Sequence, residues 1–269
     1  MNQSVVIYTY CMSQSSDYNL SFFVKKLTYS ENIDYIIVIN GHIYNENIII
    51  PVLDNVTVLK RDNIGFDFGG HNYALEYIQN NQNKTQNQNY DYYFFMNSGV
   101  IGPIVPTYFT DHWTNVFIKK INDKVKLVGT TIVCLRHNDP GGGKYGPKVE
   151  GFFFMVDQIG LDLLKNQKTI FCNHPDKTST IVTGEYGLSD CIFKNGYTID
   201  CLLPEYQNID WINPKNHTLN NNIHPSRKNS FFGNSINPYD VIFHKWYWHG
   251  YEPVNFDIVR QYVNWNMKM

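Results

Sequence analysis

Short apolar runs alternate with segments of helical spacing through the first hundred residues. Four of these runs are rich in β-branched and aromatic residues, at 5–10, 35–39, 56–59 and 92–96. Between them, apolar side chains recur three and four positions apart over 18–27 and 71–78, as on one face of a helix. Continuous apolar strands joined by helices are typical of a parallel sheet that is covered on both faces. The pattern therefore predicts an α/β fold with a Rossmann-like nucleotide-binding half.

The second half of the chain is less regular. Its pattern predicts helices over 113–121, 157–164 and 185–194, and strands over 126–133, 149–156 and 241–248. Loops are predicted for the polar low-complexity stretch 80–89 and for the glycine-rich stretch 139–147, which either closes over a ligand or is a plain solvent turn. Because no repeat or linker divides the chain, we expect a single domain over 1–269 whose halves share one sheet.

Composition and charge narrow the class of protein. The chain has 269 residues, 43% of them hydrophobic, with 22 lysines and arginines against 24 acidic residues and a formal net charge of −2. This balance gives no general attraction for a nucleic-acid backbone or an anionic membrane, and no apolar window approaches the roughly 18–20 residues of a membrane span. The amino terminus lacks the pattern of a secretion signal. We therefore expect a soluble, cytoplasmic protein with no nucleic-acid partner and no transmembrane segment.

The cysteines agree with a reducing compartment. They are odd in number, widely spaced and without a C-x-x-C pair, so they indicate neither a disulfide framework nor a thiolate zinc site. The five are Cys11, Cys134, Cys172, Cys191 and Cys201.

The densest unusual segment, 61–75, follows the third predicted strand and leads into a helix. Its glycines would let backbone amides approach a ligand, and the start of a helix favours an anion. Several polar side chains fall in the same segment. They are Arg61, Asn63, Asp67, His71 and Asn72. The segment predicts a cradle for a nucleotide diphosphate. The alternative is a strand-to-helix turn in which the glycines serve only tight packing.

This segment from Asn63 to Leu75 resembles the region after the third strand in nucleotide-sugar glycosyltransferases of the GT-A fold. The likeness is to inverting enzymes that build cell-surface glycans, including rhamnosyltransferases and rhamnan-synthesis proteins. The segment 92–103 resembles the strand and turn at which that fold places a metal-binding D-x-D, and weaker likenesses lie at 126–130, 151–157 and 185–189. The resemblance covers about residues 4–250. It implies a GT-A-like, Rossmann-type central sheet, mixed but mostly parallel and flanked by helices.

The resemblance also implies a binding site for a nucleotide-diphosphate sugar donor. Thr9 and Tyr10 would contact the base or ribose, and Asn40 the base. The implied donor-binding residues are Thr9, Tyr10, Asn40, Arg61, Asn63, Gly65, Asp67, Asn72, Asn97, Ser98 and Lys245. In this arrangement Arg61 and Asp67 bracket the nucleotide, while Asn63 and Asn72 fix the loop.

The expected D-x-D is missing. Asn97-Ser98-Gly99 stands at its position, whereas a hard divalent cation prefers carboxylate oxygens. Either a manganese or magnesium ion is held mainly by the diphosphate, with Asn97 and the distant His244 as ligands, or no metal is needed. His244 is otherwise a core histidine among aromatic residues. Lys245 could neutralise the leaving diphosphate as a point charge.

Glu185, at the start of a predicted helix, is the candidate catalytic base. The resemblance implies that it deprotonates the acceptor hydroxyl in a single, inverting displacement, and Asp190 one turn further on is a second candidate. The alternative is that Glu185 only offsets the helix dipole.

These inferences predict a glycosyltransferase for a hexosyl or deoxyhexosyl group, with a glycan or glycoprotein as acceptor. About 1–105 would bind the donor and about 106–269 the acceptor. The alternative is a non-catalytic nucleotide- or glycan-binding module that kept the fold, which the missing D-x-D favours. A sugar nucleotidyltransferase ranks third, because the loop 10–16 lacks the glycine-rich signature and lysine of such enzymes.

Overall fold

The computed structural model describes residues 3–81, 90–134, 146–245 and 256–268. Most of the predicted low-complexity loop and of the glycine-rich loop therefore lies outside the described residues. Within these ranges the chain forms strands and helices that alternate through the first half, as the apolar pattern predicts.

The strands are named in chain order. They are β1 (Ser4–Cys11), β2 (Ile33–Asn40), β3 (Val56–Arg61), β4 (Tyr92–Asn97), β5 (Val100–Ile101), β6 (Val125–Gly129), β7 (Ile132–Cys134), β8 (Pro147–Val149), β9 (Phe153–Asp157), β10 (Thr198–Cys201) and β11 (His244–Lys245). Seven of them form the central sheet in the order β10-β6-β9-β4-β1-β2-β3, and two short pairs, β11-β5 and β7-β8, lie beside it.

Most neighbours in the central sheet are parallel. β1 pairs in parallel with β2 and β4, β2 with β3, and β6 with β10, whereas β9 runs antiparallel to both β4 and β6. Strands from both halves of the chain thus join one sheet. The predicted α/β class, with a mixed, mostly parallel central sheet flanked by helices, is confirmed.

Eight α-helices lie within the described ranges. They are α1 (Gln14–Val24), α2 (Phe66–Asn81), α3 (Thr114–Ile118), α4 (Gln158–Asn166), α5 (Lys177–Ser179), α6 (Tyr186–Lys194), α7 (Pro238–Val241) and α8 (Phe256–Met267). A π-helical turn, Thr180–Glu185, joins α5 to α6. Side chains cap four of the starts. In the two longest of these helices, Ser13 accepts from the backbone N–H of Ser16 before α1, and Asp157 accepts from that of Gly160 before α4. None of the described helices has the length and apolar content needed to cross a bilayer.

The sheet is covered on both faces. Alternate residues of β1 point to opposite sides, so that Val5 and Ile7 join one buried cluster while Val6 and Tyr8 join another. The first cluster also takes apolar side chains from α2, α4 and α6, and the second takes them from α1 and α3. Burial on both sides explains why the central strands read as continuous apolar runs.

Several predicted boundaries are wrong. The predicted strand 126–133 divides at Thr130–Thr131 into β6 and β7, and 149–156 divides into β8 and β9. The chain leaves the central sheet after Gly129, where a Cβ would lie only 2.4 Å from Val149 Cγ1, so the glycine allows β6 and β8 to pack closely at this point. The helix predicted over 71–78 begins earlier, at Phe66, and the strand predicted over 241–248 is limited to His244–Lys245 in the described residues.

Candidate functional site

The carboxyl ends of β1, β2, β3 and β4 lie at one edge of the sheet, because these strands are parallel. Thr9 is paired with Asn97, and Asn40 lies between Cys11 and Arg61 in the register. From β1 the chain runs to β2 and β3 on one side, and then crosses back to β4 on the other side. A reversal of this kind leaves a crevice beyond the strand ends, which is where open α/β sheets bind ligands.

A cavity of about 770 Å³ occupies this crevice, within the usual size range of ligand sites. Seven of the residues predicted to bind the donor line it: Thr9, Asn40, Asn63, Gly65, Asp67, Asn97 and Ser98. Residues that the sequence analysis did not select complete the wall: Cys11, Ile64, Phe66, Asn173, His174, Pro175 and Lys177. The structure therefore brings most of the predicted donor site together.

The glycines before and within α2 mainly allow close packing. A Cβ on Gly70 would lie 2.5 Å from Thr9 Cγ2, and a Cβ on Gly65 would lie 2.3 Å from Asn173 Cα. Gly65 also has a φ of +72° and lines the cavity. The packing alternative thus accounts for Gly70, while Gly65 combines packing with a place in the cavity wall.

Phe66 has an uncommon backbone conformation for a bulky residue. Its φ is +56°, in the left-handed region, and its side chain is 38% exposed at the cavity. The amide of Asn40 donates to the Phe66 carbonyl at 3.2 Å, and Arg61 in turn donates from Nη1 to Asn40 Oδ1 at 3.2 Å. Arg61 also donates from Nη2 to Asn173 Oδ1 at 2.8 Å. Arg61 is buried behind the wall, so it organises the cavity and does not line it.

His71 supports the wall from behind. Its Nδ1 lies 2.9 Å from the Thr9 hydroxyl, and the ring is fully buried among aromatic side chains. Burial lowers the pKa of His71 to about 4, so the ring is neutral at pH 7.

The oxygens at the D-x-D position are already engaged. Asn97 donates from Nδ2 to Asp67 Oδ2 at 2.6 Å, and its own Oδ1 accepts from the Gly99 N–H at 2.9 Å. Asp67 Oδ1 accepts from the Phe68 N–H at 3.2 Å. Nowhere in the described ranges do three or more histidine, cysteine or acidic side chains come together as they would to hold a metal ion. These groups do not fit a divalent cation held by the protein alone.

His244 lies at the paired strands β5 and β11. Its Nδ1 lies 2.8 Å from the Lys245 carbonyl, which can only accept, so Nδ1 carries the proton and Nε2 has a lone pair. The ring is 2% exposed, burial lowers its pKa to about 4, and Nε2 has no hydrogen-bond partner in the part of the chain described. This is the tautomer a metal ligand needs, but it is equally the neutral form expected of a core histidine.

Lys245 lies above the Asn97–Gly99 turn. Its Nζ is 3.1 Å from the position that a Cβ on Gly99 would occupy, and 5.2 Å from the centre of the Phe152 ring. Burial lowers the pKa of Lys245, while nearby carboxylates, foremost Glu185, oppose that shift. The carboxylates that favour its charged form include Asp67, which lines the cavity, as well as Glu185 and Glu150.

Glu185 is the last residue of the π-helical turn, immediately before α6. Its Oε2 lies 3.3 Å from Lys148 Nζ and its Oε1 lies 3.8 Å from Lys177 Nζ. The side chain rests on Gly151, where a Cβ would lie 2.6 Å from Glu185 Cγ. Lys177 lines the cavity, so the Glu185 carboxylate is connected to the cavity wall through its ion pair with Lys177.

A buried charged cluster that the sequence analysis missed lies behind Glu185. Lys148 Nζ is 3.1 Å from Glu150 Oε2, and Glu150 Oε1 is 2.8 Å from His224 Nδ1. Burial alone would lower the pKa of Lys148, but the carboxylates of Glu150 and Glu185 outweigh it and raise that pKa. The same contacts hold the pKa of Glu150 below its usual value against the effect of burial. The alternation of charged residues around Val149, next to a buried strand, was the available signal.

Besides Arg61, Glu185, His244 and Lys245, three more of the predicted residues do not line the cavity. Tyr10 points to the opposite face of β1, where its hydroxyl donates to Asp17. Asn72 donates to Glu76 Oε1 at 2.7 Å on the surface of α2. Asp190 pairs with Lys194 at 2.6 Å and lines a second, smaller cavity of about 240 Å³.

The missed residues of the wall come from two places. Cys11 ends β1 and could have been found from that position alone. The segment 173–177 follows α4, more than a hundred residues later, and reaches the site through a bridge between Gly65 and His174. No local pattern indicates that contact.

Comparison with known proteins identifies no family. No family model and no curated protein matches the chain. A mannosyltransferase from Pyrobaculum calidifontis, solved with GDP-Man and Mn2+, is 12% identical over 74% of this chain and 54% of its own, with a TM-score of 0.45. A 4-diphosphocytidyl-2C-methyl-D-erythritol synthase is 10% identical over 81% and 95%, with a TM-score of 0.42.

A third solved structure, the apo glycosyltransferase GlyE of Streptococcus pneumoniae, is 10% identical over 74% of this chain and 45% of its own, with a TM-score of 0.34. This chain thus spans about half the length of the two glycosyltransferases. Likenesses at this level assign neither a family nor an activity to the chain.

Proposed function

We propose that this protein is a glycosyltransferase that binds a nucleotide-diphosphate sugar in the cavity at the ends of β1–β4. The observation that carries the proposal is that seven of the eleven residues implied to bind the donor line one cavity at the reversal of strand order. The sequence resemblance of 63–75 and 92–103 supplies the class of ligand. The acceptor is a hydroxyl of a glycan or glycoprotein.

The cavity wall offers both apolar and polar groups for such a donor. Ile64 and Phe66 present exposed apolar surface at the start of α2, which suits a base or the apolar face of a sugar. Ser98 and Asn97 line the cavity, and Lys245, whose Nζ lies 3.1 Å from the position of a Cβ on the adjoining Gly99, would hold the diphosphate by charge. The described side chains do not fit a metal ion held by the protein alone.

The reaction needs one base and one stabilised leaving group. The acceptor oxygen attacks the anomeric carbon, the bond from that carbon to the diphosphate oxygen breaks, and the diphosphate leaves with the electron pair. Glu185 would take the hydroxyl proton, and Lys245 would offset the charge on the diphosphate. Asp190 is the second candidate base, although its pair with Lys194 at 2.6 Å would first have to open.

The test combines binding with turnover. Calorimetry with UDP, GDP and dTDP sugars, with manganese or with EDTA, should show binding of one donor class, and that donor should protect the exposed Cys11 from alkylation. Glu185→Gln should keep donor binding and lose transfer by about 10²–10⁴-fold. If none of these donors binds, the proposal is refuted. If Glu185→Gln turns over as fast as the wild type, Glu185 is not the catalytic base.

A second candidate function rests on the engaged oxygens of Asp67 and Asn97. A module that only binds a nucleotide or glycan needs no metal and no base. It would bind the donor without turnover, and Glu185→Gln would then change neither property.

A further inference from the structure

Lys177 is the one lysine or arginine among the fourteen described residues that line the cavity. Its side chain is 61% exposed, and within the described ranges its ion pair is with Glu185 Oε1, at the loose distance of 3.8 Å. Such exposed pairs contribute little to stability, so this contact can be exchanged for another at low cost.

Glu185 does not depend on Lys177 to stay paired. Its other oxygen lies 3.3 Å from Lys148, which is almost fully buried and fixed by Glu150. Loss of the outer pair therefore leaves the carboxylate held from behind, with one oxygen turned toward the cavity side.

Lys177 and Lys245 are also close enough to influence each other. Lys177 opposes the protonation of Lys245, while Asp67 and Glu185 favour it. Lys177 lines the cavity, and Lys245 Nζ lies 3.1 Å from the position of a Cβ on Gly99, next to the lining residues Asn97 and Ser98. The lining itself holds a single carboxylate, Asp67, so positive charge in and beside the wall suits an anion of more than one charge.

We infer that Lys177 exchanges Glu185 for the diphosphate of the bound ligand, and that this exchange uncovers the Glu185 carboxylate for its work as a base. The inference rests on the proposed function, which it deepens by making release of the base dependent on the donor. It also supplies a positive charge to the same cavity that Asn97, at the D-x-D position, lines.

The experiment measures binding of inorganic pyrophosphate by calorimetry in the presence of EDTA. Lys177→Met should weaken binding about ten- to hundredfold, Lys177→Arg should restore most of it, and Lys168→Met, at an exposed lysine away from the cavity lining, should leave it unchanged. Thermal melting confirms that each variant is folded.

A double-mutant cycle isolates the exchange. Glu185→Gln frees Lys177 and should tighten pyrophosphate binding several-fold in the wild-type background, but not in Lys177→Met. A gain of equal size in both backgrounds would show that Glu185 acts only by its general charge, and would overturn the exchange. So would unchanged binding in Lys177→Met, or no pyrophosphate binding by the wild type.

Turnover separates this result from the proposed function. Transfer from a nucleotide sugar with no loss in Lys177→Met would refute the inference and leave the glycosyltransferase standing. If Lys177→Met weakens pyrophosphate binding but the wild type transfers sugar from no donor, the anion exchange stands and the proposed glycosyltransferase activity is refuted.

Discussion

Replacement of Lys148 by methionine tests the buried cluster behind the candidate base. The side chain of Lys148 is 3% exposed, that of its partner Glu150 is 4% exposed, and the ammonium and carboxylate lie 3.1 Å apart. Lys148→Met removes the positive charge but keeps a long unbranched side chain. Two carboxylates, those of Glu150 and Glu185, then lose the ammonium group that compensates them.

Loss of one partner from a buried pair typically costs about 3–5 kcal/mol. Glu150 retains His224 at 2.8 Å and Glu185 is partly exposed, which places the expected loss at the lower end, about 3 kcal/mol. With an unfolding entropy of about 0.6 kcal/mol per kelvin for 269 residues, the melting temperature should fall by about 5 °C.

The assay is urea denaturation at pH 7. Lys119→Met is the matched control, because Lys119 pairs with Asp111 at 3.5 Å on the surface and should lose no more than about 1 kcal/mol. Adding Glu150→Gln to Lys148→Met should recover at least about 1 kcal/mol, since the more deeply buried of the two carboxylates that lost the ammonium group is then neutral. A loss below about 1 kcal/mol in Lys148→Met, or no recovery in the double variant, would refute this account of the cluster.

Two further predictions concern the packing and the pH dependence of the site. Gly65→Ala should destabilise the fold by about 2–5 kcal/mol, because the new Cβ meets Asn173, whereas Gly196→Ala, at a similar positive φ but in open space, should cost only about 1–2 kcal/mol; equal losses in thermal melts would contradict this. The pKa of His71 is lowered from 6.5 to about 4 by burial, so the unfolded chain binds more protons between those values. The free energy of unfolding should therefore fall as the pH drops through this window, with His71 contributing about 2 kcal/mol of loss at pH 5. In urea denaturation, the free energy of unfolding of His71→Gln should fall by about 2 kcal/mol less between pH 7 and pH 5 than that of the wild type. An equal fall in both proteins would be evidence against a neutral, buried His71.

The candidate site shows where sequence reasoning succeeds. Asn40 and Asn97 are the last residues of β2 and β4, and Thr9 lies two residues before the end of β1. The carboxyl ends of parallel strands lie at the same edge of the sheet. The family resemblance selected these residues, and the parallel order of their strands is consistent with their lying at one cavity. The sequence does not predict the packing of Gly70 against Thr9, because a glycine in a sequence does not indicate whether it allows a ligand or a neighbouring strand to approach.

Sequence reasoning did not predict which charged side chains pair with one another. Lys148 reads as an ordinary polar residue before a strand, and only the fold buries it between Glu150 and Glu185. Asp190 follows Glu185 by five residues, so the two point to different sides of the chain and line different surroundings. Such outcomes depend on contacts between segments far apart in the sequence.

The sequence by itself determined the alternation of strands and helices, the parallel sheet covered on both faces, and the polar ends of its first strands. These features follow from local periodicity, which each short segment carries on its own. Only the tertiary structure decided that the segment 173–177 closes the cavity, that Lys177 lies between the cavity and Glu185, and that Lys148 is buried. These contacts join residues distant in the chain, and their distances and burial are set by how the layers pack together.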